Sequence, residues 1–117
     1  MNYVIIGTNK FSTEIQRTEW QYAQGMQGRT WQGLQSMYFA MTPRMHSFHT
    51  QNCIVPMDIV FVNNGKIIKI YPNCVPNSGE SYVGFGDAVV ELPANTVFKY
   101  RITPGQSVTL WQHKDHI

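Results

Sequence analysis

The chain reads as a single α+β domain, mostly β, built as a small barrel or sandwich with one main helix. Three observations point there. Short apolar or alternating runs bounded by turn residues recur from end to end. In the first half only one stretch, Glu19 to Gln27, has convincing helical spacing. And 117 residues, 43% of them hydrophobic and 13% aromatic, suffice for one core without disulfides or metals.

Taken in order, Tyr3 to Ile6 is a β-branched run ended by Gly7, Thr8 and Asn9. Phe11 to Arg17 alternates Phe11, Thr13 and Ile15 against Ser12, Glu14 and Gln16, the period of a half-buried strand. Thr18 suits an N-cap, and Glu19 places negative charge in the first helical turn. Trp20, Ala23 and Met26 then make one apolar helical face up to Gln27, where Gly28 stops the helix. Gln35 to Met41 is strand-like, Thr42-Pro43-Arg44 a turn, and Met45 to Asn52 a polar strand. Met57 to Val62 reads as a buried strand, joined through Asn63-Asn64-Gly65 to Lys66–Tyr71; Asn-Gly readily takes the positive φ angles of a tight hairpin. Residues 72–84 form the longest loop. Phe85 to Leu92 is another strand, Pro93 to about Tyr100 a short helical turn, and Ser107 to Gln112 the last strand, with residues 113–117 a loose tail.

Composition narrows function mostly by exclusion. Charged residues make up only 14% of the chain, and nine Gln and eight Asn fill the gap. Such a neutral, amide-rich surface favours assembly with a protein partner or another copy of the chain. The net charge of +2 is spread out, so no basic run argues for nucleic acid or an anionic membrane. No apolar run approaches the ~18 residues of a membrane span. The start, MNYVIIGTNK, lacks a signal-peptide pattern, so the expected location is the cytoplasm, or a virion if the chain is phage-encoded. Cys53 and Cys74 read as reduced, buried thiols, with a disulfide or a nucleophile as alternatives. No cofactor or metal is expected. His113-x-x-His116 with Asp115 has metal-ligand spacing but sits in the terminal tail, and His46 and His49 should point to opposite faces of one strand.

The central stretch is Ser47 to Val62, SFHTQNCIVPMDIVFV, in which Asp58 interrupts an apolar run bound for the core. A carboxyl there needs donors, and those expected are His49, Thr50, Gln51 and Asn52 just upstream or the backbone amides of the Asn52 to Val55 turn. Residues 47–61 resemble the central motif S-F-W-M-x-N-T-x-x-P-L-D-x-x-F of the domain of unknown function 192 family, aligning without a gap. Gly25-Met26-Gln27-Gly28-Arg29, Ser36-Met37-Tyr38-Phe39, Val89-Val90-Glu91-Leu92-Pro93-Ala94 and Ile102-Thr103-Pro104-Gly105-Gln106 are similar to four further motifs of that family, in the same order. The likeness spans about residues 11–110. His49, Cys53, Ser36 and Gln106 depart from the family's Trp, Thr, Gly and Asp. The resemblance implies a compact, strand-rich domain with no established enzymatic activity.

Asp58, Asn52, Arg29, Glu14 and Glu91 are the polar residues at or near those motif positions. They read either as an internal hydrogen-bond network or as a small pocket in which Arg29, Asn52, Asp58 and His49 hold a polar ligand such as a sugar or carboxylate. Three functions follow. The first is a non-enzymatic structural or interaction module, for instance a component of a phage particle, docking through the edges Tyr3–Ile6 or Ser107–Gln112 or through the 72–84 loop. The second is a small polar-ligand or carbohydrate-binding domain. The third is a hydrolase with Asp58 as acid or base.

Overall fold

The computed structural model describes residues 1–113. Its strands are β1 (Asn2–Ile6), β2 (Asn9–Gln16), β3 (Met37–Phe48), β4 (Met57–Asn63), β5 (Lys66–Cys74), β6 (Tyr82–Pro93) and β7 (Val108–Trp111). Its helices are α1 (Glu19–Gln24) and α2 (Thr96–Lys99). All seven strands join one sheet in the order β5-β4-β6-β3-β2-β1-β7. Every pair is antiparallel except β2 and β3. Parallel neighbours need a crossover, and α1 with the irregular segment up to Ser36 supplies it.

The sheet curls until its two end strands meet at one corner. Ser107 bridges Lys66, Val108 N–H donates to Gly65 O, and Ile67 N–H donates to Gln106 O. The corner exists because Asn64 (φ 51°) and Gly65 (φ 76°) give the β4–β5 hairpin its tight turn. Curling explains why β4 and the Ala88–Leu92 half of β6 are nearly unbroken apolar runs: both of their faces are buried. Val4, Ile6, Phe11, Val60, Val62, Val90, Leu92 and Val97 form one cluster, which draws on strands at both ends of the sheet and so fills the concave side. Met26, Met37, Phe39, Met57, Ile59, Phe61, Tyr82 and Val89, with Cys53 and Cys74, form a second cluster on the convex side. There Phe39, Phe48, Phe61, Tyr71 and Tyr82 run in series as edge-to-face neighbours, with centroids 5.0, 5.9, 6.0 and 5.3 Å apart. Gly84 is required at this layer, since a Cβ there would stand 2.5 Å from the Phe61 ring.

Several sequence expectations need correction. The helix ends at Gly25 rather than Gly28 and buries no residue of its own; Trp20 is 74% exposed, while Met26 reaches the core from the segment beyond the helix. Thr18 does cap it, accepting from Gln21 N–H, while the Gln21 side chain accepts from Thr18 N–H. Thr42-Pro43-Arg44 does not break the chain into two strands. It is absorbed in β3 as a shift of register between Ala40 and Arg44, and the strand stops at Phe48. The long loop shrinks to residues 75–81, because β5 and β6 both extend into it. The Tyr3–Ile6 segment is not an edge: it pairs with β2 on one side and β7 on the other. No helix among the described residues is long and apolar enough to cross a membrane. His116 and Asp115 lie outside the described residues.

Candidate functional site

Two acids stand in the two doubly buried strands, and the register sends them opposite ways. Asp58 on β4 pairs with Leu92, a concave-side residue; Ile59, the next along β4, pairs with Glu91 and belongs to the convex side. Asp58 is fully buried and satisfied: Oδ1 accepts from Asn73 N–H at 2.8 Å and Oδ2 from Val97 N–H at 2.9 Å. The donors are therefore not those of the Asn52 to Val55 turn. They come from the end of β5 and from α2, whose own N-cap, Asn95, makes no side-chain cap bond. Asp58 takes over that capping from a strand far away in sequence.

Glu91 has the opposite surroundings. Its row across the sheet is Met37–Glu91–Ile59, so neither flanking side chain offers it a strong hydrogen bond. It is 3% exposed, and Oε1 has no hydrogen-bond partner among the described residues. Burial alone pushes its carboxyl up to about 8, so the protonated form predominates at neutral pH. Among the described residues Thr13 Oγ1 is the other buried side-chain atom without a partner, but a hydroxyl is far cheaper to leave unpaired than an acid.

Glu91 lines a cavity of about 290 Å³ between the α1 segment and β3. Tyr22, Met26, Phe39, Met41, Phe48 and Cys53 provide apolar wall, while Glu19, Arg44, His46 and His49 provide charge and polarity. Arg44 and His46 alternate with Phe48 onto this face of β3, opposite Gly86 and Gly84. His46 Nε2 lies 2.8 Å from Thr42 O, and a carbonyl can only accept, so the proton sits on Nε2. His49 Nδ1 accepts from Gln51 N–H. Both histidines reach one cavity because β3 ends at Phe48, so strand alternation does not extend to His49. Cys53 is pushed up to about 11, first by burial and then by the charge Glu91 would carry, which leaves a protonated, unreactive thiol. Cys74 also rises to about 11, chiefly through burial, and both cysteines are free. Among the described residues no three His, Cys, Asp or Glu side chains are grouped to hold a metal ion.

The four candidate residues do not converge. Arg29 holds Glu14 through two parallel bonds of 2.7 and 2.8 Å, which lowers the Glu14 carboxyl and raises the guanidinium. Asn52 is a corner of the loop scaffold: at φ 63° its N–H donates to Asn77 Oδ1 and its carbonyl accepts from Gly28 N–H. Asp58 caps α2. Only His49 lines the cavity. Glu91, inside a family motif and named among its polar residues, was not among the four ligand candidates. Its signal was present in Ala88-Val89-Val90-Glu91-Leu92, a lone acid inside an apolar strand.

The family model described as Uncharacterized ACR, domain of unknown function 192 (DUF192), matches residues 3–110. No curated protein matches the chain. Among solved structures, a protein of unknown function from Novosphingobium aromaticivorans DSM 12444 is similar, at 30% identity and a TM-score of 0.84 over 92% of this chain and 83% of that one. A proposed transcription regulator from Sinorhizobium meliloti 1021 shares the fold, at 24% identity and a TM-score of 0.85 over 93% of this chain and 91% of that one.

Proposed function

The chain belongs to the DUF192 family, and for it we propose a ligand-binding role centred on the Glu91 cavity. One observation carries the reading: a buried acid whose Oε1 lacks a protein partner lines a cavity large enough for a small polar group. Leaving such an atom unpaired costs stability, roughly 1–3 kcal/mol. A ligand group that hydrogen-bonds Glu91 recovers that cost and is selected by it. The edge-to-face aromatic series holds the cavity wall in place, as binding without rearrangement requires. The role needs no catalysis, since the Cys53 thiol stays protonated and Asp58 is committed to α2. Two free, buried thiols suit a reducing compartment such as the cytoplasm.

The test is a thermal-shift screen of small polar compounds (monosaccharides, amino acids, amines and carboxylic acids) on the wild type, Glu91→Gln and Arg29→Gln. A compound that raises the wild-type melting temperature should bind at least ten-fold more weakly to Glu91→Gln and unchanged to Arg29→Gln. A ligand indifferent to Glu91, or sensitive to Arg29 instead, contradicts the reading.

A further inference from the structure

We propose that the ligand is an extended peptide that adds a strand to the free edge of β3 and inserts a lysine side chain toward Glu91. The inference rests on the cavity reading above and adds the partner's chemistry. β2 pairs only with Met37–Phe39 of β3, yet β3 continues to Phe48. Beyond Ala40, the side of β3 turned away from β6 has no main-chain partner among the described residues. Thr42 to Met45 and Ser47 are exposed. Pro43 and the register shift beside it blunt the first part of this edge against indiscriminate pairing. Arg44 to Phe48 is left as a short, regular edge. That same edge walls the Glu91 cavity, with α1 opposite. A groove between a strand edge and a helix suits a peptide: main-chain bonds give affinity, and a pocket beneath gives side-chain selection.

Charge and shape select lysine. Glu91 makes no ion pair among the described residues, and the other charged side chains lining the cavity are one of each sign, Glu19 and Arg44. Met26, Met41 and Phe39 suit an aliphatic stem, and Tyr22 and Phe48 suit an ammonium passing aromatic faces. As the ammonium enters, the Glu91 carboxyl releases its proton to solvent and pairs as the carboxylate, so no other reactant is needed.

Four pools of fluorescein-labelled hexapeptides, blocked at the C-terminus, test this by anisotropy. One central position is fixed as Lys, norleucine, Gln or Glu and the rest are randomised. The Lys pool should bind wild type at least ten-fold more tightly than the norleucine pool, and Glu91→Gln should erase that preference. Backbone N-methylation of the Lys pool should abolish binding, and amides of residues 44–48 should exchange more slowly with the peptide bound. N-acetyl-lysine methylamide separates the sources of the amine: if it binds as tightly as the pool, strand addition is overturned. If no pool binds while a small compound still shifts melting through Glu91, the peptide proposal fails and the cavity reading stands. If neither binds, both fail.

Discussion

Asp58 and Glu91 lie one register step apart on neighbouring strands, and each is an acid planted in an apolar run. Asp58 meets two backbone N–H groups and disappears into the architecture. Glu91 meets Met37, Ile59 and a cavity. Burial is nearly the same for both, at 0% and 3% exposure, so burial does not separate a structural acid from a site. The count of satisfied hydrogen bonds does. The concave side of the sheet is finished, with every demand of its acid met from within. The convex side carries an acid whose demand is met only by something else.

The largest effect should come from breaking the finished side. Asp58→Ala strands two buried N–H donors and removes the cap of α2, so a loss of about 4 kcal/mol is expected at neutral pH. Urea denaturation with an unchanged m-value would establish it, and a loss below about 1 kcal/mol would mean that water serves those donors equally well.

A smaller effect, of opposite sign, belongs to Glu91. Its folded carboxyl keeps its proton up to about pH 8, while the unfolded one releases it near 4.5. Between those values the folded state binds more protons, so stability falls as pH rises, and it is fully present only below the lower value. At about 1.36 kcal/mol per unit, the wild type should lose roughly 3 kcal/mol relative to Glu91→Gln between pH 5 and 7.5. Parallel stability curves for the two proteins would show that Glu91 is solvated after all.

The smallest effect is expected at Arg29. Its pair with Glu14 has good geometry, but both side chains are about 40% exposed. Solvent screening then holds Arg29→Gln to under about 1 kcal/mol, and raising the salt should shrink the difference further. A loss above 2 kcal/mol in the melting analysis would place this pair among the determinants of the fold.

What was legible in the sequence follows the range of the interactions involved. Alternation, the Asn64-Gly65 turn and the Thr18 cap act over a few residues, and most strands and the hairpin could be read from them. Gly25 to Gln27 failed as helix because Gly25, at φ 45°, terminates it before Met26, and tertiary packing rather than helical periodicity buries Met26. The break at Pro43 failed because β6 holds β3 in place across it, through a register shift that no local pattern announces. The need of Asp58 for donors was readable, but their identity was not, since Asn73 and Val97 lie 15 and 39 residues away. Glu91 was visible as an acid in an apolar strand. That its neighbours would be Met37 and Ile59 depends on the order β4-β6-β3, which only the folded sheet supplies.

The central claim is that Glu91 is a buried acid at a binding cavity, with Oε1 unpartnered among the described residues. Carbon-13 NMR of the side-chain carboxyl, assigned by difference against Glu91→Gln and followed from pH 3 to 10, tests it most directly. The account predicts one carboxyl titrating near pH 8, far above the ordinary value of 4.5. A Glu91 resonance that titrates between pH 4 and 5 would contradict it, because an acid that ionises so readily already has water or a donor beside it.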